Sequence, residues 1–227
     1  CCILLWLCHT FVFSVTVVRN DALSAFLLTI AIWIAASQLS DKSEGERRAV
    51  PWFVAGALLG LAAGTKISYL APALAFVGFP LWAFLLKAFP PREALTRSAS
   101  IGFGLVLALL PLLWFRDIAP LAFDYGNFEY HAKAPLAWYA ANGLEDRLTL
   151  LAKVRDVLLT LVRGPALVAL AIYGWLRLRS FRNRNVQSPS LIFIDVLVLA
   201  GLAATVAPTP TWRQYAMPLL PPLFIGL

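Results

Sequence analysis

The chain has 227 residues, 60% of them hydrophobic and 14% charged, with a mean hydropathy of +0.77 and a formal net charge of +7. Such a composition excludes an ordinary water-soluble domain, because apolar segments this extensive must be covered by lipid. It also argues against nucleic-acid binding: the basic residues are dispersed among short loops instead of forming one patch with interleaved aromatics.

The sequence starts at Cys1 without a methionine and stops at Leu227 inside an apolar run, so we expect one polytopic domain that is a piece of a longer protein, with no legible signal peptide. Cys1, Cys2 and Cys8 have neither a disulfide framework nor zinc-site spacing, and His9 reads as a packed bundle residue. Uncharged runs from Cys1 to Val18 and from Ala22 to Leu39 approach the roughly 20 residues of a bilayer span. Arg19 and Asp21 mark the tight turn between them.

After a charged loop (residues 40–50, with Arg47 and Arg48) comes an apolar run, 51–86, broken by a single charge, Lys66. As one helix it would measure about 54 Å, far beyond the hydrocarbon core. A hairpin turning at Gly64-Thr65-Lys66 instead places Lys87, Arg92 and Arg97 on the side of Arg47 and Arg48, joined later by Arg177, Arg179, Arg182 and Arg184. That is the positive-inside pattern, and it leaves Arg19, Asp21 and Lys66 together on the outer face. Gly56, Gly60 and Gly64 recur every four residues, a ridge for close helix packing.

The next span emerges at Arg116-Asp117 into an external loop, 116–164, whose first part mixes aromatics with Asp124, Asn127, Glu129, His131 and Lys133. Leu144 to Val162 reads as one amphipathic helix lying on the membrane surface, with Leu144, Leu148, Leu151, Leu158, Leu159 and Val162 on its apolar face. Arg147 and Arg155 project from that side, towards lipid phosphates or a groove beneath. Gly164-Pro165 opens a further span, and Asp195 lies near the inner end of the one after it, placed to cap or pair locally. A last outer turn, 208–215, brings Arg213 and Tyr215 to the outer cluster before Pro218, Pro221 and Pro222 interrupt the final span. The expected fold is therefore all-α, a polytopic transmembrane helical bundle with approximate spans 1–18, 22–39, 51–64, 67–86, 98–115, 165–178, 190–207 and 216–227, and an external loop containing an amphipathic interfacial helix.

Cations at a membrane boundary suit a lipid-linked phosphate, whose tail stays in the bilayer while its head meets Lys and Arg. A neighbouring carboxylate suits a hydroxyl or a metal ion. Ordinary interface anchoring of single Lys and Arg side chains explains the same residues without any chemistry.

Three stretches add a resemblance. Arg19-Asn20-Asp21-Ala22-Leu23, Gly60-Leu61-Ala62-Ala63-Gly64-Thr65-Lys66 and Arg213-Gln214-Tyr215-Ala216-Met217-Pro218-Leu219-Leu220-Pro221-Pro222 are similar, in order and spacing, to the protein mannosyltransferase and aminoarabinose transferase group of GT-C membrane glycosyltransferases. The resemblance implies inverting transfer of a sugar from a polyprenyl-phosphate donor to a lipid, glycan or protein acceptor on the external face, in a bacterial inner membrane with the active face periplasmic. It implies that the main catalytic base belongs to a loop preceding Cys1. Asp21 would be a supporting acidic site for the acceptor or a metal, while Lys66 and Arg213, with Arg19, would hold the donor phosphate. His131, Tyr215, Arg147 and Arg155 are further substrate-binding candidates. No cofactor is assigned, with a divalent metal ion left open. Two other classes fit the composition: a transporter or lipid flippase, which would place ionisable groups near the bilayer midplane, and a non-catalytic membrane assembly subunit, which would need packing motifs alone.

Overall fold

The computed structural model describes residues 2–16, 20–40, 49–182 and 188–227, without the side chains of Cys2, Leu4, Leu5, His131 and Phe181. Arg19, Arg47, Arg48 and Arg184 lie outside the described residues. Among the described residues every regular element is helical.

The chain begins with two short helices, α1 (Cys2–Leu7) and α2 (His9–Thr16), so the span expected over 1–18 is broken at Cys8. The break has a tertiary cause. The His9 N–H donates across the fold to the Arg163 carbonyl at 3.0 Å, and Gly164 comes so close that a Cβ there would stand 2.8 Å from the Leu7 carbonyl oxygen. Only glycine meets that approach together with a φ of +138°.

Helix α3 (Asp21–Ser40) runs away from the site described below and α4 (Ala49–Thr65) runs back towards it. A 3₁₀ turn, Ile67–Tyr69, leads into α5 (Leu70–Leu85), and α6 (Pro91–Ile118) follows. The glycine ridge shows how these helices run. Gly56, Gly60 and Gly64 face Ile101, Leu105 and then Leu109 and Leu112, so α4 and α6 are parallel. Between them α5 returns to the start of α6, with Ser98 Oγ donating to the Val77 carbonyl at 2.7 Å. The run 51–86 is therefore a hairpin, turning where Lys66 adopts an extended backbone (φ −154°, ψ 117°).

At the far end of α5 the chain reverses at Lys87, a left-handed residue with φ 58°. Its N–H donates to the Phe84 carbonyl and that of Ala88 to the Ala83 carbonyl, each at 2.8 Å, closing a Schellman turn. A Cβ is strained there, so Lys87→Gly is expected to raise unfolding stability by about 0.5–1 kcal/mol, measured as the shift of the denaturation midpoint in detergent.

Past α6 the chain stays helical. Helix α7 (Pro120–Asp124) passes through a π-helical turn, Tyr125–Glu129, into α8 (Tyr130–Ala141), and a 3₁₀ turn, Glu145–Leu148, precedes α9 (Leu150–Val162). The single amphipathic helix expected over 144–162 is thus two pieces. Thr149 is extended and caps α9 by accepting from the Ala152 N–H at 3.3 Å, as a β-hydroxy residue does best outside a helix interior. The buried residues of α9 are Ala152 and Leu161, and its Lys153 ammonium donates to the Ala207 carbonyl at 3.2 Å. Leu150, Leu151, Val154 and Val162 face outward, Leu151 at 80% exposure. That outward apolar stripe suits lipid rather than protein.

Helix α10 (Ala166–Arg182) leaves α9 at an angle of 94°, and side-chain bonds link it to α11 (Pro189–Val206), which packs on α5. Across α10 and α11 Asp195 accepts from Arg177 Nε at 2.7 Å and from the Tyr173 hydroxyl, so the acid is paired between helices. A 3₁₀ segment, Arg213–Leu219, and the short α12 (Leu220–Ile225) stand where the last span was expected, because Pro218, Pro221 and Pro222 remove three backbone donors in succession.

Four helical stretches are long and apolar enough to cross a membrane, namely Asp21–Ser40, Ile67–Leu85, Pro91–Ile118 and Pro189–Val206. Helix α4 is apolar but shorter, and α9 with α10 would form a fifth only as a bent pair. The two ends of the bundle differ in charge. One carries Lys87, Arg92, Arg97, Arg177, Arg179 and Arg182, with Glu93 and Asp195 as the acids among its described residues. At that end Arg97 pairs with Glu93 and lays its guanidinium over Phe89 at 4.3 Å and Trp52 at 4.8 Å. The opposite end holds the site.

Candidate functional site

The start of α3, the α4–α5 turn and the segment before α12 are remote in sequence, yet they meet at one end of the bundle. Two of them are tied by a polar clamp. The Asn20 side-chain amide donates to the Thr65 carbonyl at 2.6 Å, and the Ser24 and Thr65 hydroxyls share a hydrogen bond at 2.6 Å. The Tyr69 hydroxyl donates to the Asp21 backbone carbonyl at 3.2 Å. At the centre the Lys66 ammonium binds the Asp21 carboxylate directly.

Local structure explains the pairing. Asp21 opens α3, where free backbone N–H groups and the helix dipole favour an anion. Its side chain is fully buried, a position a carboxylate holds only beside a counter-ion. Lys66 sits at the helix break, and its extended backbone carries it out of the α4 spiral. Its side chain is 13% exposed, so the ammonium joins a buried acid to open space. The Tyr215 ring faces the same Nζ at 5.7 Å from the ring centroid.

Lys66 lines a cavity of about 750 Å³. Its lining combines polar side chains, Asn20, Thr65, Ser68 and Gln214, with the aromatic residues Trp212 and Tyr215. Apolar side chains complete it: Leu70 of α5, Leu109 and Leu112 of α6, and Phe123 and Phe128 of the π-turn region. Asn127 joins the lining from the π turn, a local feature that recurs where a helix has been adapted to a site. Such a lining matches an amphiphile: a polar head beside a cation and an apolar body against Leu and Phe.

The expected site residues are distributed unevenly around this cavity. Lys66 and Tyr215 line it. Asp21 lies behind Lys66, wholly buried, and does not line it. Arg213 is in the adjoining turn, with its guanidinium over the Phe13 ring at 4.5 Å, and is not part of the lining. Arg19 is outside the described residues, and of His131 only the backbone is described, in α8 beside the lining residue Ala132. Arg147 is exposed in its 3₁₀ turn and Arg155 donates to its neighbour Asp156 at 3.1 Å, both away from the cavity.

Sequence reasoning passed over Ser68, Gln214, Trp212, Phe123 and Phe128 as individual site residues. Each stands within or beside a stretch already distinguished by its charges or aromatics, and that adjacency was the available signal. Among the described residues no three His, Cys, Asp or Glu side chains gather in a metal-binding group.

Fold and site together define a class, an all-helical protein with the long apolar helices of a multi-pass membrane protein and an amphipathic cavity at one end of the bundle. No protein-family model, curated protein or solved structure matches the chain.

Proposed function

We propose that this chain is the donor-binding part of a GT-C-type membrane glycosyltransferase, which transfers a sugar from a polyprenyl-phosphate carrier to a lipid, glycan or protein acceptor at the periplasmic face of a bacterial inner membrane. The observation that carries this reading is the cavity itself, lined by one anchored ammonium, Lys66, together with neutral polar groups and Leu and Phe side chains. A phosphate fits the ammonium and a polyprenyl chain the Leu and Phe side chains.

The acceptor hydroxyl attacks the anomeric carbon, the bond from that carbon to the phosphate oxygen breaks, and the electron pair leaves with polyprenyl phosphate. The acceptor's proton passes to the general base that the family resemblance implies. Lys66 stabilises the charge that grows on the leaving phosphate. Asp21 holds the ammonium in place from behind and so acts as a positioning residue. Arg213 adjoins the site and reaches the phosphate only by leaving the Phe13 ring. The weakly acidic, strongly basic opposite end supports placing the site outside. Charges at the helix ends instead of the midplane favour head-group chemistry over transport.

The test is transfer of a radiolabelled sugar from polyprenyl phosphate by the protein in membranes. The uncharged pair Lys66→Met with Asp21→Asn is expected to abolish transfer at wild-type protein abundance, and Arg213→Ala to reduce it. Full transfer by the uncharged pair would refute the phosphate role of Lys66. No transfer by the wild type from any polyprenyl-phosphate sugar would refute the enzyme class.

A further inference from the structure

We infer that the cavity is built for an uncharged sugar, and that Trp212 and Tyr215 form the platform on which its ring rests. The inference depends on the donor-binding reading above and adds the chemical class of the sugar to it.

The two rings lie parallel, with an interplanar angle of 4° and centroids 6.1 Å apart, and both line the cavity. Trp212 precedes the 3₁₀ segment in an extended conformation (φ −105°, ψ 151°), and Tyr215 follows one turn later. The turn thus directs both side chains to the same side. Tyr215 also faces Lys66. In a glycosyl phosphate the sugar ring and the phosphorus share a single oxygen, so a phosphate held by Lys66 brings the ring beside Tyr215. Flat aromatic faces match the C–H faces of a pyranose, supplying contact area at little conformational cost.

The hydrogen-bonding groups around the platform are neutral. The Ser68 hydroxyl oxygen is buried in the lining without a hydrogen-bond partner among the described residues. The Gln214 amide and the Asn127 side chain, which donates to the Phe123 carbonyl at 2.9 Å, add acceptor and donor atoms of the kind that orient hydroxyls.

Charge makes the selection. Among the described lining residues Lys66 alone carries a formal charge. The ammonium of an amino sugar would find no carboxylate there, because Asp21 is buried behind Lys66, and it would lie close to a second cation. The carboxylate of a sugar acid would compete with the phosphate for Lys66. An uncharged hexose or pentose meets neither obstacle.

The test measures binding by the full chain in lipid nanodiscs, read by native mass spectrometry, using polyprenyl phosphate, its neutral hexose derivative and its amino-sugar derivative. The neutral form is expected to bind about tenfold tighter than the other two. Trp212→Ala should erase the preference over bare polyprenyl phosphate without weakening that lipid, Trp212→Phe should keep most of it, and the preference over the amino-sugar form, which charge sets, should persist in both. A preference over bare polyprenyl phosphate that survives Trp212→Ala would overturn the platform, and an amino-sugar form that binds as well as the neutral one would overturn the selection by charge; either leaves the donor reading standing. Equal binding of all three lipids by wild type and by the uncharged Lys66→Met, Asp21→Asn pair would overturn the donor reading, and the platform with it.

Discussion

Replacing Lys66 by methionine alone is expected to cost about 3–5 kcal/mol of unfolding free energy, and replacing Asp21 by asparagine alone distinctly less. The asymmetry follows from exposure. Asp21 is fully buried, so losing the ammonium removes a counter-ion from a carboxylate that water does not reach. Lys66 borders the cavity, so losing the carboxylate leaves an ammonium that solvent still reaches. The double variant removes both charges and keeps the apolar stem, and it should recover most of the stability. Detergent-solubilised protein unfolded by denaturant gives the four free energies of this cycle, and the coupling between the two substitutions is the quantity to read. Equal losses from the two single variants would mean that Asp21 is not the sealed partner described here. Recovered stability without recovered transfer would separate the structural role of the pair from the proposed chemical one.

The second large effect concerns the α4–α6 contact. A Cβ at Gly56 would stand 2.1 Å from the Ile101 carbonyl oxygen, and one at Gly104 would stand 2.1 Å from that of Phe53. Neither partner is a side chain that swings aside, so the two backbones must separate. Gly56→Ala is expected to destabilise by about 2–4 kcal/mol, despite the better helix propensity of alanine. Gly78 of α5 provides the control. Nothing lies within 4 Å of a Cβ there, and Gly78→Ala should stabilise by about 0.5–1 kcal/mol. The same unfolding assay measures both, and two changes of equal sign would contradict the close α4–α6 approach. Separation also has a functional consequence, since α4 ends at Thr65 and carries Lys66 at its tip.

Several parts of this arrangement are legible without coordinates. Lys66 is the single charge in a run too long for one span, so a break there is required by bilayer thickness, and the hairpin follows. The four-residue glycine period reads as a packing ridge because small residues on one helix face admit a neighbouring backbone. The α9 region shows where pattern reading stops. The period of its leucines places them on one face, but whether Thr149 continues the helix or caps a new one depends on a local competition that hydrophobicity does not record. The break at Cys8 is less legible still, because its cause is the approach of Gly164, more than 150 residues away in sequence.

The amino-acid sequence by itself determined the class and the raw material: apolar runs of bilayer length, charges near their ends, and three charge-bearing stretches, Arg19 to Leu23, Gly60 to Lys66 and Arg213 to Pro222. These follow from solvation, since the cost of placing a charge or an apolar segment is set residue by residue. Only the tertiary structure decided which cations and acids work together. It sealed Asp21 behind Lys66, turned Arg213 onto Phe13, and closed the cavity with Trp212, Phe123 and Phe128. Those outcomes rest on distances between segments remote in the chain, and no one-dimensional pattern of charge or hydropathy contains them.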